Sequence, residues 1–204
     1  EESRQHVNGI QSAILGLLAL LLAFTFSLAL QRFDSRSEAV VDEANAIGTA
    51  FLRVDLLPPA LQDEARLTLK KYLDARVDEA IVPLPDREGR ARVNEVAAST
   101  QARLWSIAVR ASQAAADPRA PLLFVEAVNQ LIDSYGKRSA ALDRHVPELV
   151  LSLLFGTFLL TGAIVGFAAG VAKHRPALVT YVMVTLMVVL VFIVLDLDRP
   201  RRGV

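Results

Sequence analysis

The feature that most constrains this chain is a long run without any charged side chain, from Ile10 to Leu30. As an α-helix with a rise of about 1.5 Å per residue, this run spans roughly 30 Å, the thickness of the hydrocarbon core of a bilayer. Two further uncharged runs follow, at 149–172 and 176–195. Because lipid offers the backbone no hydrogen-bond partners, all three runs are predicted to be transmembrane helices.

The composition indicates that only part of the chain suits lipid. Although 53% of the residues are hydrophobic, 22% are charged, and 22 basic residues balance 22 acidic ones. This mixture indicates that apolar and charged stretches are segregated into a membrane part and an aqueous part. The balanced charge gives no electrostatic basis for binding nucleic acid. The chain has no Cys and only three His, which lie far apart, so the sequence offers neither disulfides nor the ligand spacing of a metal site.

Residues 32–148 are predicted to form a soluble four-helix domain between the first and second spans. Apolar residues recur there at helical spacing in four successive stripes, and segments that contain Pro separate the stripes. No Gly or Pro interrupts the chain between Gly16 and Gly48, so the first soluble helix is expected to continue directly from the first span. The first stripe comprises Val40, Ala44, Ile47 and Phe51.

The expected fold class is an all-α membrane protein with a helical cytosolic domain inserted between its first two spans. Basic residues are more numerous beside the membrane ends on the side of this domain. The positive-inside rule therefore places the domain in the cytoplasm, in a multi-pass protein of the cell (inner) membrane. Three spans would leave Glu1 outside, so a fourth span is expected upstream. The predicted domains are the first transmembrane helix with its N-terminal flank (1–31), the cytosolic four-helix domain (32–148), the second transmembrane helix (149–172), and a short loop, third transmembrane helix (176–195) and basic C-terminal end (173–204).

Glycines at a spacing of four residues mark one face of the second span: Gly162, Gly166 and Gly170. Residues this small let two helices approach closely. The expected role is helix packing inside the bundle, and a contact between subunits is the alternative.

The first span also carries small residues on one face, together with two hydroxyl side chains, Thr25 and Ser27. One interpretation is close helix packing, with each hydroxyl bonded to the carbonyl one turn earlier. The other interpretation is a pore. Small and weakly polar residues around a symmetry axis leave room for water and ions, and rings of Phe or Leu form a constriction that gates by dewetting. Composition leaves both interpretations open.

The stretch "VVDEANAIGTAF" (40–51) carries unusual residues for the middle of a helix. Asn45 and Gly48 have poor helix propensity. Gly48 is expected to permit close contact with a neighbouring helix, and Asn45 to form a hydrogen bond across that contact. Asp42 and Glu43 are interpreted as part of a solvated charged face.

The sequence contains no recognisable catalytic motif. It lacks a nucleophile elbow, a phosphate-binding Gly loop, an H-E-x-x-H motif and a carboxylate within the spans. We therefore predict a protein that is not an enzyme and that uses no cofactor or metal.

Three stretches of the sequence point to a family. The segment "LLAFTFSLALQRFDSRSEAV" (21–40) resembles the second membrane helix of bestrophins, in which small and apolar residues lead to Arg-Trp-Trp and an acidic continuation. More closely, "VVDEANAIGTAFLR" (40–53) and "LDLDRPRRG" (195–203) resemble the bacterial membrane family described as bestrophin-like. This second resemblance covers nearly the whole chain.

The resemblance implies an ion channel. Bestrophins are ion channels, pentameric in the known cases, with four membrane helices per subunit and a large cytosolic helical domain. Their second membrane helix lines the pore and continues into the cytosol. Carried over to this chain, the constriction falls at Phe24, with Leu20 and Gly16 one and two turns earlier. The pattern departs at Gly16, where bestrophins have a bulky residue, and at Phe33-Asp34, which stands in place of the tandem Trp.

We therefore predict a homo-oligomeric, bestrophin-like channel, for which the resemblance implies a pentamer. Its predicted partners are the lipid bilayer, its own copies and inorganic ions. The alternative is a non-conducting membrane-anchored scaffold or sensor whose cytosolic helices bind a partner. An intramembrane enzyme would need a buried polar cluster that the spans lack. The residues predicted to line the pore are Gly16, Leu20, Phe24, Thr25 and Ser27. The residues predicted to couple the domain to the pore are Arg32, Glu43, Asn45 and Gly48.

Overall fold

The computed structural model describes residues 2–83, 85–115, 117, 119–172 and 178–199. Within these residues every regular element is a helix, which confirms the predicted all-α class. In chain order the elements are α1 (Glu2–Arg53), a 3₁₀ turn (Val54–Leu56), α2 (Pro59–Ile81), α3 (Arg87–Ala114), α4 (Arg119–Asp143), α5 (Glu148–Ala172) and α6 (Leu178–Asp198).

Three helical stretches are long and apolar enough to cross a membrane. They lie in Ser12–Leu56, Arg119–Phe167 and Thr180–Asp198, and they overlap the three uncharged runs of the sequence. The prediction of three membrane-spanning helices in this chain therefore agrees with the length and composition of the helices. The cytosolic placement of the domain, its boundaries at 32–148 and the upstream span stay predictions.

The chain divides into two compact units, and the first comprises residues 1–37 and 141–204. Among its described residues, α1 packs against α5 and α6 through two buried clusters. On α1 the buried side chains follow one another at alternating intervals of four and three residues, so they occupy a single face of the helix. The clusters are Leu18, Leu22, Leu154 and Val191 in one, and Ala29, Val146 and Val194 in the other.

The second unit comprises residues 38–140 and folds around one hydrophobic core. Its helices are the second part of α1, followed by α2, α3 and α4. The largest fully buried apolar side chains of this core are Leu69, Tyr72, Leu104, Ile107, Phe124 and Leu131.

The apolar stripe predicted for α1 in this unit is confirmed at Ile47, which packs against the core, but it is out of register at Ala44 and Phe51. The residues of α1 that enter the core are Ala46 and Ala50, with Glu43 buried on the same face. Of the predicted stripe, Ala44 and Phe51 are exposed. The small alanines bring α1 close to its neighbours, and a search for large apolar residues therefore misses the face that packs.

Local sequence signals begin the helices of the second unit. Pro59 occupies the first position of α2, where a missing N–H is no loss. Asp86 caps α3, because its Oδ1 accepts a hydrogen bond from the backbone N–H of Gly89 at 2.8 Å. A side chain at position 89 would collide with this carboxylate, so the absence of one lets the cap close.

Candidate functional site

One face of α1 in the first unit is open. Gly16, Leu20, Phe24 and Ser27 are all exposed, and the exposed fraction is 53% for Leu20 and 62% for Phe24. Their successive spacings of four, four and three residues place them on the same side of the helix. The structure thus brings four of the predicted lining residues together on a face that the described part of the chain leaves uncovered.

Thr25 lies on the opposite face of α1 and is 1% exposed. Its hydroxyl donates a hydrogen bond to the carbonyl oxygen of Leu21, one turn earlier, at 2.6 Å. The assignment of Thr25 to the pore lining is therefore wrong, because its side chain is enclosed by its own chain. For Thr25 the packing interpretation of the sequence is the correct one.

The glycines of α5 do not pack within the described part of this chain. Gly162, Gly166 and Gly170 are exposed, and a Cβ added to any of them would meet no described atom within 4 Å. The packing inside the bundle that was expected of them is not seen among the described residues, and it stays a prediction. Their other predicted role, in a contact with a second subunit, stays a prediction. Gly48 on α1 is open in the same way, so the close contact expected there is not made among the described residues either.

A buried cluster of charged residues holds α1, α2 and α4 together in the second unit. Glu43 is 1% exposed. Its Oε1 accepts hydrogen bonds from the hydroxyl of Tyr72 at 2.7 Å and from Nε of Arg76 at 2.6 Å. Its Oε2 accepts bonds from Nη2 of Arg76 at 3.2 Å and from Nη1 of Arg138 at 2.7 Å. The interpretation of Glu43 as a solvated side chain is therefore wrong.

The partners of Glu43 are themselves anchored. Arg76 pairs through Nη1 with Glu79, and its guanidinium carbon lies 4.7 Å from the centre of the Tyr135 ring, within range of a cation–π contact. The Tyr72 hydroxyl also accepts a hydrogen bond from Nε2 of Gln101 at 3.5 Å. The charges of two arginines and two glutamates balance, so the cluster carries no net charge.

The surroundings keep Glu43 ionised. Burial raises the pKa of Glu43, but the hydrogen bonds from Arg76, Tyr72 and Arg138 outweigh burial, and the pKa lies below its ordinary value of 4.5. Burial, together with the adjacent Glu43 carboxylate, raises the pKa of the Tyr72 hydroxyl far above its ordinary range. Tyr72 therefore stays protonated. Its hydroxyl stabilises the ionised form of Glu43 by donating a hydrogen bond to the carboxylate.

The other residues predicted to act in coupling do not meet at this cluster. Arg32 is half-buried on α1 in the first unit, and Asn45 and Gly48 are exposed. The sequence reasoning missed Arg76 and Arg138. One signal was available for Arg76, because it follows Leu69 and Tyr72 at core spacing, and a charged residue at a core position requires a partner.

A second buried arginine ties α1 to the end of α6 in the first unit. Arg36 is 5% exposed, and its Nη2 donates to the carbonyl oxygen of Leu197 at 2.5 Å. Nearby, Oδ1 of Asp198 accepts a hydrogen bond from the backbone N–H of Val146 at 2.9 Å. The last turn of α6 is thus bonded both to α1 and to the residues that precede α5.

The sequence of the whole chain matches one family description, the bestrophin-like domain, over residues 1–204. The chain belongs to the bestrophin-like family. This confirms the resemblance to the bestrophin-like family that was drawn from the segments at 40–53 and 195–203. No curated protein and no solved structure matches this bestrophin-like chain. The family and the three apolar helices agree on a membrane protein.

Proposed function

We propose that this bestrophin-like protein is a homo-oligomeric ion channel whose pore is lined by α1. The observation that carries the proposal is the open face of α1, on which Gly16, Leu20, Phe24 and Ser27 lie together uncovered. The same helix turns its other face into its own chain through Leu18 and its neighbours. In an oligomer, copies of a helix that is packed on one side and open on the other can surround a central axis with their open faces.

The residues of this open face differ from those on the open faces of α6. The exposed side chains of α6 include large apolar ones, such as Leu178, Leu186 and Phe192, which suit contact with lipid chains. The exposed residues of α1 also include large apolar ones, Leu20 and Phe24 among them, but the small residues Ala19 and Ala23 lie beside these two, whereas α6 contains no Ala or Gly. Small residues on an exposed membrane helix favour contact with protein or water rather than lipid. This contrast supports α1, rather than α6, as the helix next to the axis.

Leu20 and Phe24 would form the constriction. One copy of each side chain per subunit gives two apolar rings one helical turn apart, and apolar rings of this kind close a pore by excluding water. Gly16, one turn before Leu20, leaves the pore wider there because it has no side chain. Ser27 supplies a hydroxyl on the other side of the constriction.

The remaining expectations are part of the same proposal. The second unit lies in the cytoplasm, a further span precedes Glu1, and the channel is an inner-membrane oligomer of the pentameric type. Because α1 is one uninterrupted helix from Glu2 to Arg53, its residue Glu43 belongs both to the buried cluster and to the helix that carries Phe24. A displacement of the buried cluster would therefore be transmitted along α1, which is the role we propose for Glu43.

Purified protein in planar bilayers tests the channel. We expect the wild type to carry current and the Phe24→Ala and Leu20→Ala variants to carry more, because each removes one apolar ring. Phe192→Ala is the matched control, since Phe192 is an equally exposed phenylalanine on α6 and its loss should leave the current unchanged. Absence of current from the wild type and from both α1 variants would show that the proposal is wrong.

A non-conducting scaffold or sensor is the second candidate, and one feature of the second unit favours it. A groove of about 870 Å³ lies between α2 and α3, and its charged lining residues are Glu64, Lys71, Arg103 and Arg110. Glu64 accepts from Arg103 and Arg110 at 2.7 Å each, so one carboxylate holds two cations at the groove. A sensor would be monomeric or dimeric and would carry no current, whereas the channel requires a ring with an open axis. Particle mass together with the bilayer recordings separates the two.

A further inference from the structure

Just beyond the uncharged run, the acidic and basic residues of α1 lie on different faces of the helix. Asp34 is exposed, whereas Arg36 is buried and Arg32 is half-buried. Arg36 is turned towards its own chain, where it donates to the carbonyl oxygens of Leu197 at 2.5 Å and Arg199 at 3.5 Å. Arg32 precedes Arg36 by one turn and so lies on the same face. Both positive charges therefore point away from the open face.

Asp34 continues the open face. From Phe24 the intervals to Ser27, Gln31 and Asp34 are three, four and three residues, and all four side chains are exposed. At a rise of about 1.5 Å per residue, Asp34 lies roughly 15 Å along the helix from Phe24. It forms no ion pair with any described residue of the chain, so its charge is not neutralised there.

We infer that the channel conducts cations and that Asp34 determines this selectivity. The inference rests on the proposed channel function, since it requires the open face to border the pore. One Asp34 per subunit then forms a ring of carboxylates beyond the constriction, and such a ring concentrates cations and repels anions. Glu38, exposed one turn further along α1, adds a second negative charge on the same side. The opposing charge of Arg36 is held away from the pore by its bonds to the end of α6.

The test is the reversal potential of purified channel protein in planar bilayers that separate unequal KCl solutions. We expect the wild-type potential to lie near the value for a K⁺-selective pore. Asp34→Asn should reduce the cation-to-anion permeability ratio several-fold, and Asp34→Lys should bring the ratio to about one or below, because a ring charge sets potentials of several kT. The matched control is Asp74→Asn, which removes an exposed carboxylate from α2 instead of α1. This control should leave the reversal potential unchanged.

Salt concentration gives a second readout. The distance over which a fixed charge acts is about 10 Å at 0.1 M salt and about 3 Å at 1 M. Selectivity that comes from a ring of exposed carboxylates should therefore weaken in concentrated KCl, whereas selectivity from the width of the pore should persist.

The outcomes separate this inference from the channel proposal. Current that reverses at the Cl⁻ value, or that keeps its reversal potential in both Asp34 variants, overturns the role of Asp34 and leaves the channel standing. No current from the wild type or from Phe24→Ala removes the channel, and the selectivity with it. A change of equal size in Asp74→Asn would mean that net charge, rather than the pore face, sets the ratio, and would also overturn the inference.

Discussion

Nη1 of Arg138 donates to Oε2 of Glu43 at 2.7 Å, although 95 positions of the chain separate the two residues. This contact joins α4 to α1 inside the second unit, at a carboxylate that also holds Arg76 and Tyr72. Removal of one partner from a buried ion pair leaves the other charge uncompensated, which costs far more than the pair itself contributes.

Glu43→Gln should therefore destabilise the second unit by about 3–5 kcal/mol, because Arg138 loses the carboxylate that it pairs with and the buried Arg76 loses one of its two. The measurement is thermal or denaturant unfolding in detergent, followed by the fluorescence of Trp105, the single tryptophan of the chain. The matched control is Asp42→Asn, an exposed neighbour on the same helix, with an expected change within about 0.5 kcal/mol.

A double-mutant cycle with Arg138→Gln isolates the pair. Each single variant should have a lower free energy of unfolding than the wild type. The loss in the double variant should be smaller than the sum of the two single losses, because the second change removes a charge that the first left unpaired. Strictly additive losses, or a Glu43→Gln variant as stable as Asp42→Asn, would contradict the description of this cluster.

Acidic pH should lower the stability of the second unit, because the Glu43 carboxylate becomes protonated. The folded pKa of Glu43 lies below the ordinary value of 4.5 that applies to the unfolded chain. A lowered pKa contributes stability that is fully present above the ordinary value and is lost as the pH falls through the folded value. The difference in unfolding midpoint between wild type and Glu43→Gln should therefore be constant near neutral pH and shrink below pH 4.5. Parallel curves down to strongly acidic pH would count against the proposed pairing.

Loss of the hydroxyl should affect conductance at Ser27 but not at Thr25. Thr25→Val keeps the shape of a side chain that only bonds its own helix, so single-channel conductance should not change. Ser27→Val places an apolar group on the open face and should lower conductance by about twofold or more, since apolar lining disfavours water in a narrow pore. An equal loss in both variants would mean that the two faces of α1 have been assigned wrongly.

The open glycines of α5 should matter for assembly and not for the folding of one chain. A Cβ at position 166 would meet no described atom of its own chain within 4 Å, so the subunit should tolerate Gly166→Leu. Association should weaken by about tenfold or more, equivalent to about 1.4 kcal/mol, if another subunit packs closely there. Mass photometry of the purified oligomer measures the shift, and Phe167→Leu, which changes an adjacent exposed residue, is the control. An unchanged oligomer would place this face of α5 against lipid.

The sequence predicted where the helices lie better than which of their faces are buried. The three uncharged runs and the unbroken first helix follow directly from the absence of charge and of Gly or Pro, and the structure has helices there. The face of α1 that packs in the second unit was missed, because burial follows Ala46 and Ala50 rather than larger residues. Side-chain size predicts which face is apolar, while packing depends on how closely two helices approach.

In the candidate site, too, some residues were predicted correctly and others were not. Leu20 and Phe24 were predicted from the resemblance to bestrophins, and the structure places them together on one open face. Glu43 was expected in solvent, since a lone acidic residue on a helix is usually exposed. Its burial depends on Arg138, which is remote in sequence, and no pattern within α1 alone indicates that partner.

The alternating intervals of α1 have a consequence for changes in chain length. Each residue added to a helix turns everything beyond it by about 100°. An insertion of one residue between Leu22 and Ala29 would therefore bring these two buried side chains of the first unit out of phase, and one of them would lose its packing. A seven-residue insertion restores the phase almost completely, so this helix should accept added length only in whole pairs of turns.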